Sequence, residues 1–394
     1  MSNYSHINGM APNVRRRTVA GLKRLRRQLD AEMPRKTRTR TLVLGTWNIR
    51  NFDDNRFMNA KRTLEDLYYI AEIIARFDVI AVQEICDDLG PLDRVMDLLG
   101  RDFAYIVTDI TEGRGGNKER LGFVFDRNKV RFKGVASELV LPDRMQIITG
   151  EKKRQFSRTP FMCSFQSGWF KFLFSTVHIY FGKDSGAKYR RRVDEIEAVA
   201  AFLARRAAKD RHNHILVGDF NIKKPGSAGA NVLEDSGFKV FQNKEGSNKN
   251  QTRFYDQISF LVKENQLQFA GSERDRGVLQ FFDSLYRKTD FAAYRADLKA
   301  AVEAKIMKIA AEVEDRKGKL ERARSENSKN GHRKKITKLE GAITKWQSHL
   351  TDDATLKAYY LGVWRTFHGS DHLPLWVNLR VDFSDEYLDE LAAD

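Results

Sequence analysis

Six short segments of this 394-residue chain each place a polar side chain capable of chemistry where an apolar run gives out. LVLGTWNIR offers Asn48, DVIAVQEI offers Glu84, FSTVHIY offers His178, and ILVGDFNI offers Asp219 and Asn221. YDQISF adds Asp256, and HGSDHLPLW near the end adds Asp371 and His372. Taken singly, each reads best as a satisfied residue at a strand edge or in a loop. Taken together they are harder to dismiss, because burying so many polar groups without purpose costs free energy. Carboxylates with amide oxygens suit a hard cation such as Mg²⁺, with Mn²⁺ as a substitute, since such ions take oxygen ligands and keep some waters. Two histidines, each near a candidate carboxylate, suit proton transfer near neutral pH. The combination points to hydrolysis of a phosphate ester by a water attacking in line. No cysteine nucleophile, zinc spacing or P-loop competes. The two cysteines, Cys86 and Cys163, stand far apart, and KKPGSAG (223–229) lacks the Gly-Lys-Ser/Thr ending. That loop reads instead as lying on the substrate side.

Elements of a particular kind must hold these residues. From residue 42 the chain alternates short apolar runs with polar loops, and only a few helical patterns intervene, notably 64–76 and 189–208. Many strands with few helices between them predict an α+β fold of two packed β-sheets flanked by helices, a four-layered αββα sandwich. Ahead of it, residues 1–41 form a basic extension in which Val14, Val19, Leu22, Leu25 and Leu29 mark the docking stripe of a helix. Residues 288–350 break the strand rhythm. Leu298, Val302, Ile306, Ile309, Val313 and Leu320 make one helical stripe, and Ile336, Leu339, Ile343, Trp346 and Leu350 make another. We expect an antiparallel coiled-coil hairpin inserted between residues 42–287 and 351–394 of one domain.

Charge is distributed to match. Residues 1–41 carry 11 Lys/Arg and 2 Asp/Glu, residues 288–349 carry 16 and 9, and the rest of the chain is neutral. Two basic appendages on a neutral body suggest a polyanionic partner, most often nucleic acid. The hairpin could equally dimerise or dock another protein. The N-terminal stretch lacks an apolar signal region, no run is long enough to span a bilayer, and cysteine is scarce. These features together predict a cytoplasmic setting.

In order, TWNIR, VQEI, VHIY, GDFNI, YDQI and SDHLP resemble the motifs of the endonuclease/exonuclease/phosphatase superfamily. NKERLGFVFDRNKV (117–130) and FSRTP (156–160) are similar to its deoxyribonuclease I-like branch. The resemblance implies Glu84 as principal Mg²⁺ ligand, Asn48 beside it, and Asp371 as a further ligand. It implies Asp219 on the attacking water, Asn221 on a non-bridging phosphate oxygen, and His372 polarised by Asp256. It also implies His178 at the leaving oxygen, with its partner carboxylate on the strand before the KER segment, where YIVTDIT offers Asp109. Arg120 and Arg158 fall in stretches that match phosphate contacts, and Arg190, opening the helix after His178, is a further candidate for backbone phosphate. The expected activity is a Mg²⁺-dependent nuclease acting on DNA, cutting internally rather than from an end. The alternative is a phosphatase or phospholipase of the same superfamily, against which FYDQ (254–257) departs from the Trp-Cys-Asp-Arg run of the inositol phosphatases.

Overall fold

A computed structural model describes residues 3–52, 55–112, 116–149, 152–210, 212–262, 268–270 and 275–393. The chain begins with α1 (Pro12–Glu32), β1 (Thr41–Phe52), α2 (Leu64–Ile74), β2 (Val79–Ile85), α3 (Gly90–Leu99), β3 (Phe103–Val107) and β4 (Arg120–Asp126). A second sheet opens with β5 (Arg131–Glu138), while β6 (Ile147–Thr149) and β7 (Lys152–Arg154) make a separate ribbon. The second sheet continues through β8 (Phe161–Ser167), β9 (Phe170–His178), β10 (Asn213–Asp219), β11 (Lys239–Val240) and β12 (Asp256–Leu261). Between these strands lie α4 (Gly186–Ala207) and α5 (Ala228–Asp235). Finally β13 (Gln268–Phe269), β14 (Arg276–Val278) and β15 (Leu375–Arg380) return to the first sheet. Its order is β13-β15-β1-β2-β4-β3, with β14 also on β15, and the second sheet runs β11-β12-β10-β9-β8-β5.

Side chains alternate along a strand, so every second residue faces the same way. Leu42 and Leu44, Leu121, Phe123 and Phe125, and Leu375, Val377 and Leu379 supply one half of the main core. Phe161, Cys163 and Phe165, Phe172 and Phe174, Ile215 and Val217, and Ile258 and Phe260 supply the other half. The two sheets therefore pack face to face. On the far side of the second sheet, Leu173, Val177 and Leu216 meet Ile196, Val199 and Leu203 of α4 and Leu233 of α5. On the far side of the first, Phe77 closes over Gly45 just after α2. Helix α1 lies on α2. Leu22, Leu25 and Leu29 are buried, Gly21 admits the Tyr69 ring, and Arg17 pairs with the buried Glu65 at 2.6 Å. Part of the basic charge at the N-terminus is thus committed internally. The architecture is the expected α+β sandwich of two mixed sheets flanked by helices.

By contacts the chain divides into two compact units. The first holds Met1–Asp53, Leu64–Leu285 and Ser370–Asp394, and the second holds Asp54–Thr63 and Tyr286–Gly369. In the second unit, α6 (Phe291–Arg322) and α7 (Glu326–Thr351) pair along Ile309, Val313, Ile336 and Leu339. Leu320, Ile343 and Trp346 pack around that seam. Ser325 caps α7 by accepting the Ser328 N–H at 3.2 Å. The helical unit runs on past residue 350 to Gly369, because Tyr286, Tyr294, Tyr360 and Trp364 form an aromatic cluster at its base. It also takes in 55–63, where Asn59 accepts hydrogen bonds from Tyr359 Oη at 3.0 Å and Lys305 Nζ at 3.2 Å. No described helix is long and apolar enough to cross a membrane.

Gly45 sits where β1 is squeezed between its neighbours. A Cβ there would lie 2.2 Å from the Phe77 ring and 2.4 Å from the Leu375 carbonyl oxygen. We therefore expect Gly45→Ala to lower stability by about 1–3 kcal/mol or more through overpacking. A urea titration reads this directly, and an unchanged midpoint would contradict the packing described.

Candidate active site

Strand register places the reactive residues side by side. Antiparallel pairing of β10 with β12 sets Asp219 opposite Asp256, and parallel pairing of β10 with β9 sets Asp219 opposite His178. Three chemistry-bearing side chains thus share one end of the second sheet. In the first sheet, Asn48 pairs with Gln83, one residue before Glu84. Both ladders through β2 shift register at this point, and Glu84 takes φ 60°. A non-glycine residue in that left-handed region costs of order 1–3 kcal/mol and is held there by its surroundings. The kink is secured by the Asn51 N–H, which donates to Glu84 Oε2 at 2.8 Å.

The two sheets meet at Asn48. Its fully buried amide nitrogen donates to Glu84 Oε1 at 3.0 Å and to Asp219 Oδ2 at 3.1 Å. Around Asp219 stand two imidazoles, His178 Nε2 at 3.5 Å and His372 Nε2 at 3.7 Å. Each imidazole is backed by its own carboxylate: His372 Nδ1 lies 2.8 Å from Asp256 Oδ2, and His178 Nδ1 lies 3.1 Å from Glu119 Oε2. Asp219 Oδ1 accepts the Asn221 N–H at 2.8 Å, and Asn221 itself takes φ 55°. Ser370 anchors the last loop. Its hydroxyl donates to the Asn48 carbonyl at 2.7 Å and accepts the N–H groups of Arg50 at 3.2 Å and His372 at 3.1 Å. Trp47 Nε1 adds a bond to the His372 carbonyl at 3.0 Å.

Charge follows from these contacts. Burial opposes a charge on His372, but the carboxylates of Asp256, Asp219 and Asp371 outweigh it and hold the imidazolium well above the usual histidine range. Burial would likewise raise the Glu119 carboxyl. The His178 imidazole 3.1 Å away and the Arg158 guanidinium prevail and hold it down at about 2.

The donor set fits a hard divalent cation. Asn48 Oδ1 is a buried acceptor with no partner, beside the partly exposed carboxylate of Glu84. Asp219, Asp256 and His372 also bring ligand-type atoms within 4.8 Å of one another. Asp256 Oδ2 is engaged by His372 Nδ1 and its Oδ1 is buried without a partner, whereas Asn48 links Glu84 and Asp219 directly, so oxygens of Asn48, Glu84 and Asp219 form the more compact ligand group for such an ion.

Most residues picked out in the sequence converge here, and some do not. Asn48, Glu84, His178, Asp219, Asn221, Asp256 and His372 lie in this cluster. Asp371, over a third exposed, is paired with Arg50 Nη1 at 3.4 Å. Asp109 is a correction. It is exposed beyond the end of β3, and its Oδ1 accepts the neighbouring Ile110 N–H at 2.7 Å. The carboxylate behind His178 is Glu119, buried one residue before β4 and long enough to reach. Arg158 is buried, with Nε donating to Glu119 Oε2 at 2.7 Å, and so positions this pair from within. Arg120 donates to the carbonyls of Cys86 and Asp87 at 2.8 Å each and fixes the loop after β2. Arg190 is exposed at the start of α4, whereas its neighbour Arg192 is buried. Sequence reasoning missed Glu119, although it stands in the KER segment directly ahead of an apolar strand. It also missed Ser370, whose role rests on backbone contacts that leave no pattern.

Residues 45–275 match the Endonuclease/Exonuclease/phosphatase family. A deoxyribonuclease of Thioalkalivibrio sp. (strain K90mix) is 29% identical over 189 residues, which is 46% of this chain and 46% of that protein. Deoxyribonuclease-1 of Rattus norvegicus is 36% identical over 95 residues, 23% of this chain and 32% of the relative. The chain thus spans less than half the length of these relatives. Among solved structures, a mannosyl-6-phosphatase of Bacteroides thetaiotaomicron aligns with 61% of this chain and 90% of its own, at 17% identity and a TM-score of 0.45.

The Glu119 carboxyl, held far below its ordinary value of 4.5, contributes stability that is fully present above that value and lost as pH falls through about 2. The contribution is on the order of 3 kcal/mol. We expect Glu119→Gln to be less stable than the parent at pH 6, with the gap closing toward pH 2 in denaturant titrations. A gap independent of pH would contradict the ion pair.

Proposed function

Because the chain belongs to the endonuclease/exonuclease/phosphatase family, we propose that it is a Mg²⁺-dependent nuclease hydrolysing phosphodiester bonds in DNA, cutting internally. One observation carries this reading: Asp219 lies between two imidazoles, each with its own buried carboxylate, while Asn48 ties it to Glu84. A symmetric acid–base pair about a central carboxylate suits displacement at phosphorus, where one oxygen must lose a proton and another must gain one.

Glu84 and Asn48, with Asp219 adjoining, would hold the divalent ion, and Asp371 would assist at a further position. When bound, the ion neutralises phosphate charge as it develops. The protein side chains supply the rest. Asp219 orients the attacking water and accepts its proton. His372, kept cationic by Asp256 and Asp219, steadies the phosphate oxygens on the water side. Asn221 commits one amide hydrogen to the Ile179 carbonyl at 2.9 Å and keeps the other for a non-bridging oxygen. His178, backed by Glu119 and Arg158, delivers a proton to the oxygen that leaves as the phosphorus–oxygen bond breaks. Arg190 is exposed for contact with backbone phosphate.

Charge on the helical unit supports a polyanionic substrate. Residues 316–338, spanning the turn between α6 and α7, hold ten Lys/Arg and two Asp/Glu, whereas 291–315 hold four and five. The positive charge is therefore gathered at the tip, and Arg322, Arg324, Lys334 and Lys338 are exposed there. Such a tip adds affinity for nucleic acid without regard to sequence and in a salt-dependent way.

The decisive panel offers plasmid, linear duplex, single strands, RNA and a phosphomonoester, with Mg²⁺ and with EDTA. We expect Mg²⁺-dependent nicking of plasmid that EDTA abolishes. Asp219→Ala and His372→Ala should each lose roughly 10²–10⁴-fold in rate. Full activity in either variant, or turnover of the phosphomonoester alone, would overturn the nuclease reading. For the tip, replacing Arg322, Arg324, Lys334 and Lys338 with Gln should flatten the dependence of log affinity on log salt. Each lost phosphate contact is worth a slope of about 0.9. An unchanged slope would remove the tip from DNA binding.

A further inference from the structure

Beside Asn221 the first unit holds a cavity of about 280 Å³. One water needs only about 10–15 Å³ on the same measure, so a phosphate group with part of a sugar fits. Its wall is strongly cationic. Arg192, Lys223, Lys224 and Arg253 line it, with Asp184 as the acidic member of the lining and Tyr189 as an aromatic one. Asp184 already serves two of those cations, pairing with Lys223 and lying 3.7 Å from Arg192 Nη1. Lys224 and Arg253 are exposed, and among the described residues neither has a carboxylate within ion-pair distance. Arg192 is 2% exposed, and the carbonyls of Asn221 at 3.0 Å and Lys183 at 3.2 Å hold its two terminal nitrogens, while its Nε has no partner. A buried guanidinium with an unsatisfied N–H, facing an excess of positive charge, is an incomplete electrostatic arrangement. An anion would complete it. The N-terminus of α5 adds a favourable dipole, since Ser227 and Gly229 line the same cavity.

The cavity shares Asn221 with the catalytic cluster, so its ligand lies next to the reacting group. We propose that this pocket, walled by Arg192, Lys223, Lys224 and Arg253, binds a second phosphate group of the substrate strand, next to the one being cleaved. The proposal rests on the nuclease reading for the identity of that strand. It gives a function to the KKPGSAG loop, which supplies two of the four cations. The phosphate has two sources, the neighbouring internucleotide linkage or a terminal monoester. The chemistry recognised is the same, a tetrahedral oxyanion carrying one or two charges.

The test uses the full chain and four thymidine substrates: TpT, with no second phosphate, pTpT and TpTp, with a terminal one, and TpTpT, with an internal one. Affinity is measured in EDTA by NMR titration, and cleavage is measured separately in Mg²⁺. We expect at least one of the added phosphates to tighten binding about tenfold over TpT. The arm showing the gain names the source. Lys224→Ala/Arg253→Ala should erase that gain while leaving TpT binding and cleavage unchanged. Equal affinity for all substrates in the parent protein overturns the pocket, as does an equal loss on all of them in the double variant. A parent that binds the phosphorylated forms more tightly but cleaves none of them retains the pocket and defeats the nuclease reading. A parent that cleaves all of them with no gain does the reverse.

Discussion

The amide of Asn48 is the joint on which the site depends. It belongs to β1 of one sheet, yet it holds Asp219 of the other while also holding Glu84 beside it. Two sheets packed through apolar faces have no inherent reason to align their polar ends. A fully buried amide donating in both directions supplies that alignment, because leaving either carboxylate oxygen unpaired in a dry site is costly. Its other face, the unpartnered Oδ1, points to the cation that the carboxylates also call for. Ser370 extends the joint to the last loop and brings His372 into reach of Asp219.

Placing so much charge in a buried cluster is tolerable only because the charges alternate. Asp256, His372, Asp219, His178, Glu119 and Arg158 form a row in which each acid lies next to a base. Removing one member would strand its neighbour, which is why Arg158 and Glu119, outside the reacting centre, matter to it. The same logic accounts for the kinked backbone at Glu84 and Asn221. Left-handed conformations are unfavourable locally, but each one places a site residue where the regular strand would not.

Much of this was legible in the sequence, for identifiable reasons. Alternating apolar residues marked the strands because a sandwich buries one face of each, and polar residues at strand ends marked the site because strand register sets them side by side. The spacing of Ile309, Val313, Ile336 and Leu339 marked a helical pair in the same way. What was not legible depends on reach and on irregular contacts. Asp109 and Glu119 are both acids near one strand pair, and only tertiary geometry shows which one reaches His178. Arg120 and Arg158 look like surface phosphate contacts in sequence, yet one is bonded to loop carbonyls and the other is buried against a glutamate. The helical unit's recruitment of 55–63 rests on hydrogen bonds to Asn59, and its extension to Gly369 on aromatic residues with no regular period.

The central claim is that Glu84 and Asn48 make a cation site on which hydrolysis depends. The most direct test is a calorimetric titration of Mn²⁺ into the parent protein and into Glu84→Gln, with unfolding curves recorded for both. The account predicts a saturable site in the parent and a loss of affinity of at least about tenfold in the variant, with stability little changed. Superimposable isotherms for the two proteins would contradict it.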